Sequence, residues 1–129
     1  MTDDAEYLLD ASALLALLHR EPGWEAVATI IGASALSTVN LSEVLQKAAS
    51  RGIAVDDLDL DLRDLGVDLV PFGVGEAKRA ARLWLDGHAS LSFGDRACIA
   101  TAAVRELKVV TADRAWGRLK LPVQVKVIR

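Results

Sequence analysis

Apolar residues fall along this chain in two alternating rhythms, short continuous runs that suit buried strands and longer stretches at a helical repeat. The first run, Glu6–Leu9, ends at Asp10, and the Ala- and Leu-rich stretch Ala11–His19 follows as a helix stopped by Pro22 and Gly23. Trp24–Ile31 is expected as a second helix closed by Gly32, and Ala35–Thr38 as a short buried strand. Asn40–Ser50 is amphipathic, with Leu41, Val44, Leu45 and Ala48 on one face and Gly52 beyond its end. The stretch Val55–Leu65 is ambiguous, because Leu58, Leu60 and Leu62 alternate with aspartates as in a half-buried strand. Five aspartates suit a strand poorly, and Val55, Leu58, Leu62 and Leu65 form a helical stripe, so a helix with Leu60 off the stripe is expected.

Val67–Val70 is expected as a strand halted by Pro71, and Gly75–Asp86 as a helix turning Ala77, Ala80, Ala81 and Trp84 inward. Phe93–Leu107 is the most helix-like segment. Lys108–Thr111 and Val123–Ile128 complete a set of five strands. Strands separated by helices throughout define an α/β protein on a mainly parallel sheet.

Composition narrows this further. A chain of 129 residues fits one domain, 1–129, and 52% hydrophobic with 26% charged residues is the balance of a compact soluble protein. The longest apolar run, Ala13–Leu18, is far short of the ~20 residues that span a bilayer, so no membrane segment is expected. Asp3, Asp4 and Glu6, with no basic residue among them, argue against a secretory signal and for a cytoplasmic address. The lone Cys98 excludes an intrachain disulfide.

Four acids carry the candidate chemistry. Asp10, Glu43, Asp95 and Asp113 each fall where an apolar run gives way to a helix start. Taken singly, each has a capping explanation: Asp10 and Asp113 as N-caps, Glu43 three residues after Asn40 and Asp95 three after Ser92 at capping-box spacing. Capping does not explain why all four map to one edge of the sheet. Two carboxylates ~5 Å apart at an effective dielectric of ~20 repel by roughly 3 kcal/mol, more than helix dipoles offset. A divalent cation resolves that repulsion, and oxygen ligands without a Cys or His cluster favour Mg²⁺ or Mn²⁺. The net charge of −3 argues against a basic nucleic-acid-binding coat. Setting the four acids aside turns it to +1, leaving room for local basic patches from Arg20, Lys47, Arg51, Arg96, Arg114 and Arg118.

The segments LLDASALL around Asp10, NLSEV with Glu43, SFGDRACIATA with Asp95 and VVTADRAW with Asp113 resemble the PIN-domain family, and within it the VapC-type toxins. The likeness extends over essentially the whole chain and includes the turn His19-Arg20-Glu21-Pro22-Gly23. It implies a three-layer α/β/α sandwich and Mg²⁺- or Mn²⁺-dependent endoribonuclease activity. It also implies a VapB-like antitoxin that wraps the domain, and a homodimer. On this likeness Asp10, Glu43 and Asp95 hold or orient metal, Asp113 completes the site, and Ser12 and Thr111 line it with hydroxyls. A metal-activated water would attack a phosphodiester in line, with Asp113 the preferred general base.

Other residues divide between chemistry and packing. Arg114 and Arg118 are candidates to guide an RNA backbone, against a solvated helix face. Arg96 is a candidate for a carboxylate or phosphate partner. Trp116 is better explained by packing than by base stacking, and Trp24 and Trp84 as core or interface anchors. His19, His88 and Cys98 are read as structural. A phosphoacceptor signalling domain would want adjacent acids after the first strand and an aspartate ending the third, whereas Asp3 and Asp4 precede the first and Pro71 ends the third. A catalytically silent binding module remains the alternative.

Overall fold

The computed structural model describes residues 5–129; Asp3 and Asp4 lie outside the described residues. Five strands, Tyr7–Leu9 (β1), Ser34–Ser37 (β2), Asp68–Val70 (β3), Lys108–Thr111 (β4) and Val125–Val127 (β5), form one sheet in the order β3-β2-β1-β4-β5. Every neighbouring pair is parallel, and Leu9 of β1 stands in register between Leu36 of β2 and Val110 of β4.

Six helices cover the two faces: Ala11–His19 (α1), Trp24–Ile30 (α2), Thr38–Ser50 (α3), Leu58–Asp64 (α4), Val74–Leu85 (α5) and Phe93–Arg105 (α6). Side chains alternate across a strand, so each strand feeds both cores. Leu9, Leu36 and Val110 pack with residues of α1 to α4. Their neighbours Leu8, Ala35 and Val109 point the other way and pack with α5, α6 and Trp116. Two cores on one sheet make the three-layer α/β/α sandwich.

The ambiguous segment is a helix. Leu58 and Leu62 are buried while Leu60 is 51% exposed, as expected for a side chain off the stripe, although Leu65 is exposed as well. Three expectations need correction. Gly32 does not close α2 but lies inside a 3-10 turn, Ile31–Ala33, that leads into β2. Helix α3 begins at Thr38, capped by the Ser37 hydroxyl, which accepts from the Val39 amide, so Asn40 lies within the helix and is no cap. Helix α5 is rotated from its expected orientation: Glu76, Ala80 and Leu83 are buried, while Ala77, Ala81 and Trp84 face outward. Glu76 turns inward because its carboxylate accepts from the Gly73 amide ahead of the helix, 3.1 Å away.

The turn after α1 is closed by the far end of the chain. Gly23 has φ +94°, and a Cβ there would lie 2.5 Å from the Ile128 carbonyl oxygen. Only glycine fits that backbone against Ile128, the residue just past β5. Arg129 tightens the same junction, donating from Nε to the Pro22 carbonyl at 2.9 Å. Among the described residues no helix is long and apolar enough to cross a membrane.

Candidate functional site

The chain runs outward from β1 through β2 to β3, then crosses back over the sheet to β4 and on to β5. The order therefore switches direction between β1 and β4. In open α/β sheets such a point leaves a crevice at the carboxyl ends of the two strands. Asp10 immediately follows β1 and Asp113 follows β4 by two residues, so both stand at that crevice.

Asp10 is the centre of a closed hydrogen-bond network. It caps α1, with Oδ1 accepting from the Ala13 amide at 2.8 Å. The Ser12 hydroxyl donates to Oδ1 at 2.7 Å and lies 2.9 Å from Oδ2, while the Thr111 hydroxyl donates to Oδ2. Each hydroxyl oxygen in turn accepts a backbone N–H, Ser12 from Ala112 at 2.9 Å and Thr111 from Asp113 at 3.0 Å. Because a backbone amide can only donate, both hydroxyl protons are directed at Asp10. The end of β4 thus fixes the carboxylate at the end of β1.

Asp10 is only 4% exposed. Burial raises its carboxyl from 3.8 to about 6, against the lowering effect of bonds from Thr111, Ala13 and Ser12, and the nearby Asp95 charge adds to the rise. Asp95 lies in the first turn of α6, where the Ser92 hydroxyl caps the helix by accepting the Asp95 amide at 3.1 Å. Burial raises its carboxyl too, opposed by hydrogen bonding to Ser92 and reinforced by the charges of Glu43 and Asp113. Beneath them Cys98 is fully buried, and desolvation, with the charges of Asp10, Asp95 and Glu43, holds its thiol well above the usual range. The charge of Asp95 is therefore felt at Asp10, and those of Glu43 and Asp113 at Asp95. Cys98 is a core residue with a protonated sulfur, and no nucleophile.

Glu43 reaches this group from α3. Its Oε1 accepts from Asn40 Nδ2 at 2.7 Å, and the same Nδ2 donates to the Gly94 carbonyl at 3.1 Å. The sequence reading missed Asn40 and Gly94 as parts of the site. An Asn and a Glu three apart on a helix share a face, but the approach of α3 to α6 carries no local signal.

Among the described residues, no three His, Cys, Asp or Glu side chains stand close enough together to hold a metal ion. The donor chemistry nonetheless fits a hard cation, since the acids offer only oxygen. Mg²⁺ is commonly held by one or two carboxylates and keeps its other positions for water.

The remaining candidates fall outside the network. Arg114 and Arg118 are exposed in the 3-10 turn that Asp113 caps, and Arg114 Nε donates to the Arg129 carbonyl at 3.3 Å. Arg96 Nε donates to the Leu91 carbonyl at 3.2 Å. Arg51 pairs with Glu21 at 3.3 Å, and the Arg20 guanidinium lies over the half-buried Trp24 ring at 4.6 Å. Trp116 is fully buried in the second core, which settles its packing role.

Fold and switch point together define an open, parallel α/β protein with acidic side chains at its crevice, and comparison with known proteins gives the family. The PIN domain model matches residues 7–121. The chain belongs to the PIN-domain family. No curated protein matches it closely. Among solved structures it is similar to a toxin-antitoxin complex from Klebsiella pneumoniae, 17% identical over 92% of this chain and 98% of that one, with a TM-score of 0.68. It is also similar to VapBC2 from Rickettsia felis bound to a promoter DNA fragment, 12% identical over 93% and 96%, TM-score 0.72. VapBC-5 from Mycobacterium tuberculosis is 26% identical over 96% and 98%, TM-score 0.60. The fold is that of a VapC-type PIN toxin.

Proposed function

We propose that this chain is the toxin of a toxin–antitoxin pair, a cytoplasmic Mg²⁺- or Mn²⁺-dependent endoribonuclease that hydrolyses RNA phosphodiesters at the acidic crevice. What supports this reading is Asp10 at the switch point of a PIN-domain sheet, buried and costly to ionise, with Asp95 near enough for its charge to act on Asp10 and Glu43 and Asp113 near enough to act on Asp95. A buried carboxylate with a raised proton affinity is a group that gains from a neighbouring cation. Asp10, Glu43 and Asp95 are the residues that would hold it. When bound, the cation supplies positive charge beside the scissile phosphate and makes an attacking water more acidic.

The chain's own groups do the rest. Ser12 and Thr111 keep Asp10 in one orientation through hydroxyl protons donated to its two oxygens. Asp113 is exposed at the rim, and one of its oxygens caps the following turn through the Ala115 amide at 2.9 Å. Its other oxygen is the preferred acceptor for the proton of the attacking water. Arg114 and Arg118, on the exposed turn beyond, supply local positive charge for an RNA backbone.

Partners follow from the same reading. The solved relatives include a toxin-antitoxin complex, which supports a VapB-like antitoxin for this chain. The outward stripe of α5, Val74, Ala77, Ala81, Trp84 and Leu85, supports a homodimer, because an apolar helix face of that length gains from being covered. A silent module would keep the acids and bind the same partners without turnover. The test is cleavage of RNA by the purified chain in Mg²⁺ or Mn²⁺. Activity that disappears on chelation and in both Asp10→Asn and Asp95→Asn supports the enzyme. Parent-like cutting by either variant refutes the site.

A further inference from the structure

Glu43 lies inside α3, neither capping a helix nor following a strand directly, so something else must bring its carboxylate to the crevice. Two features do so. Asn40, one turn earlier on α3, is 1% exposed and uses both hydrogens of its side-chain amide, one on Glu43 Oε1 at 2.7 Å and one on the Gly94 carbonyl at 3.1 Å. Both partners are acceptors, so the NH₂ end must face them and the amide cannot be turned round. At Gly94 a Cβ would fall on the Glu43 carboxylate group itself. The missing side chain there is the space in which Glu43 lies, against the residue that precedes Asp95.

We infer that Asn40 and Gly94 form a clasp that fixes the Glu43 carboxylate beside the first turn of α6, making Asn40 a positioning residue for the acidic site. The inference rests on the cation-binding reading above but concerns a different group. A plain packing staple would be satisfied at both ends. Asn40 is not: its Oδ1 is buried with no hydrogen-bond partner. An apolar side chain would pack there without burying an acceptor, so packing alone does not explain the asparagine. Holding Glu43 does. Without the amide, the Glu43 side chain is free to rotate away from the other three carboxylates, as mutual repulsion favours.

The experiment is a double-mutant cycle on Mn²⁺ affinity, read by the electron paramagnetic resonance signal of free Mn²⁺ with the purified full chain and no RNA. Asn40→Ala and Glu43→Gln are expected each to weaken Mn²⁺ binding about tenfold or more, and the double variant no more than Glu43→Gln alone. Gly94→Ala should weaken it similarly by displacing the carboxylate. A second measurement needs no metal. The Asn40 side-chain amide should give a pair of slowly exchanging NMR signals that Glu43→Ala shifts and speeds. Melting temperatures confirm that each variant is folded, and Asn40→Ser, which restores a single donor, should recover part of the affinity.

Parent-like Mn²⁺ affinity in Asn40→Ala, or additive losses in the double variant, overturns the clasp. An Asn40 amide indifferent to Glu43→Ala overturns it too, including in a chain that binds no Mn²⁺. A chain that binds Mn²⁺ with the expected coupling yet leaves RNA intact refutes the ribonuclease and keeps the clasp.

Discussion

Replacing Asp10 by Asn should make this protein more stable while disabling its site. The carboxyl rises from 3.8 to about 6, chiefly through burial, and at 1.36 kcal/mol per pH unit this corresponds to about 3 kcal/mol of destabilisation once the group is ionised. The sign follows from linkage. A group whose folded value lies above its unfolded value contributes stability that is complete below 3.8 and is lost as the pH rises through about 6. Asparagine removes the charge but not the shape. It offers one acceptor oxygen where Ser12, Thr111 and Ala13 now share two, so about 1 kcal/mol is returned in lost hydrogen bonding. The net expectation at pH 8 with a chelator present is a gain of about 2 kcal/mol for Asp10→Asn. Urea unfolding from pH 4 to pH 8 measures it: the parent should lose stability over that range from this group, the variant should not, and the two should converge toward pH 4. Mg²⁺ should stabilise the parent at pH 8 and the variant much less. A variant no more stable than the parent at pH 8, with both curves parallel, refutes the idea that the fold holds Asp10 at a cost.

Three further outcomes follow from contacts described above. Thr111→Val keeps the shape but leaves the Asp113 amide without its acceptor and Asp10 Oδ2 without its donor, a loss of about 2 kcal/mol in urea unfolding; an unchanged midpoint would mean the bridge from β4 to Asp10 contributes nothing. Gly23→Ala forces a Cβ onto the Ile128 carbonyl at φ +94° and should cost about 2 kcal/mol by thermal melting, so a neutral result would place the C-terminal segment elsewhere in solution. Trp84→Glu, at a side chain 52% exposed, should change monomer stability by less than about 0.5 kcal/mol yet shift sedimentation from dimer to monomer. Equal sedimentation of the two proteins would remove the α5 stripe as the self-association surface.

Much of the architecture was legible because its signals are local. The strand and helix order, the helix over the Asp-Leu repeat with Leu60 outside, and the packing role of Trp116 all follow from periodicity and composition. What misled was of another kind. Ser37, Thr38 and Asn40 are all cap-forming types, and only the backbone decides that Ser37 is the cap. The most apolar stripe of α5 was assigned to the core, yet the core takes Glu76, because a carboxylate that satisfies a backbone amide can be buried more cheaply than the pattern suggests. The four acids were visible as punctuation at helix starts and through family likeness. The Asn40–Gly94 contact was not, since it joins residues 54 apart that belong to helices with separate apolar patterns.

The hydrogen bond from Thr111 to Asp10 joins residues 101 apart. A ribosome must therefore deliver the chain through β4 before Asp10 gains its full set of partners, and β4 must slot in beside β1 after β2 and β3 are already made. Contacts this distant form late, when loop closure over most of the chain has been offset by packing. A chain that stops before β4 lacks the Thr111 and Ala112 contacts that complete the Asp10 network.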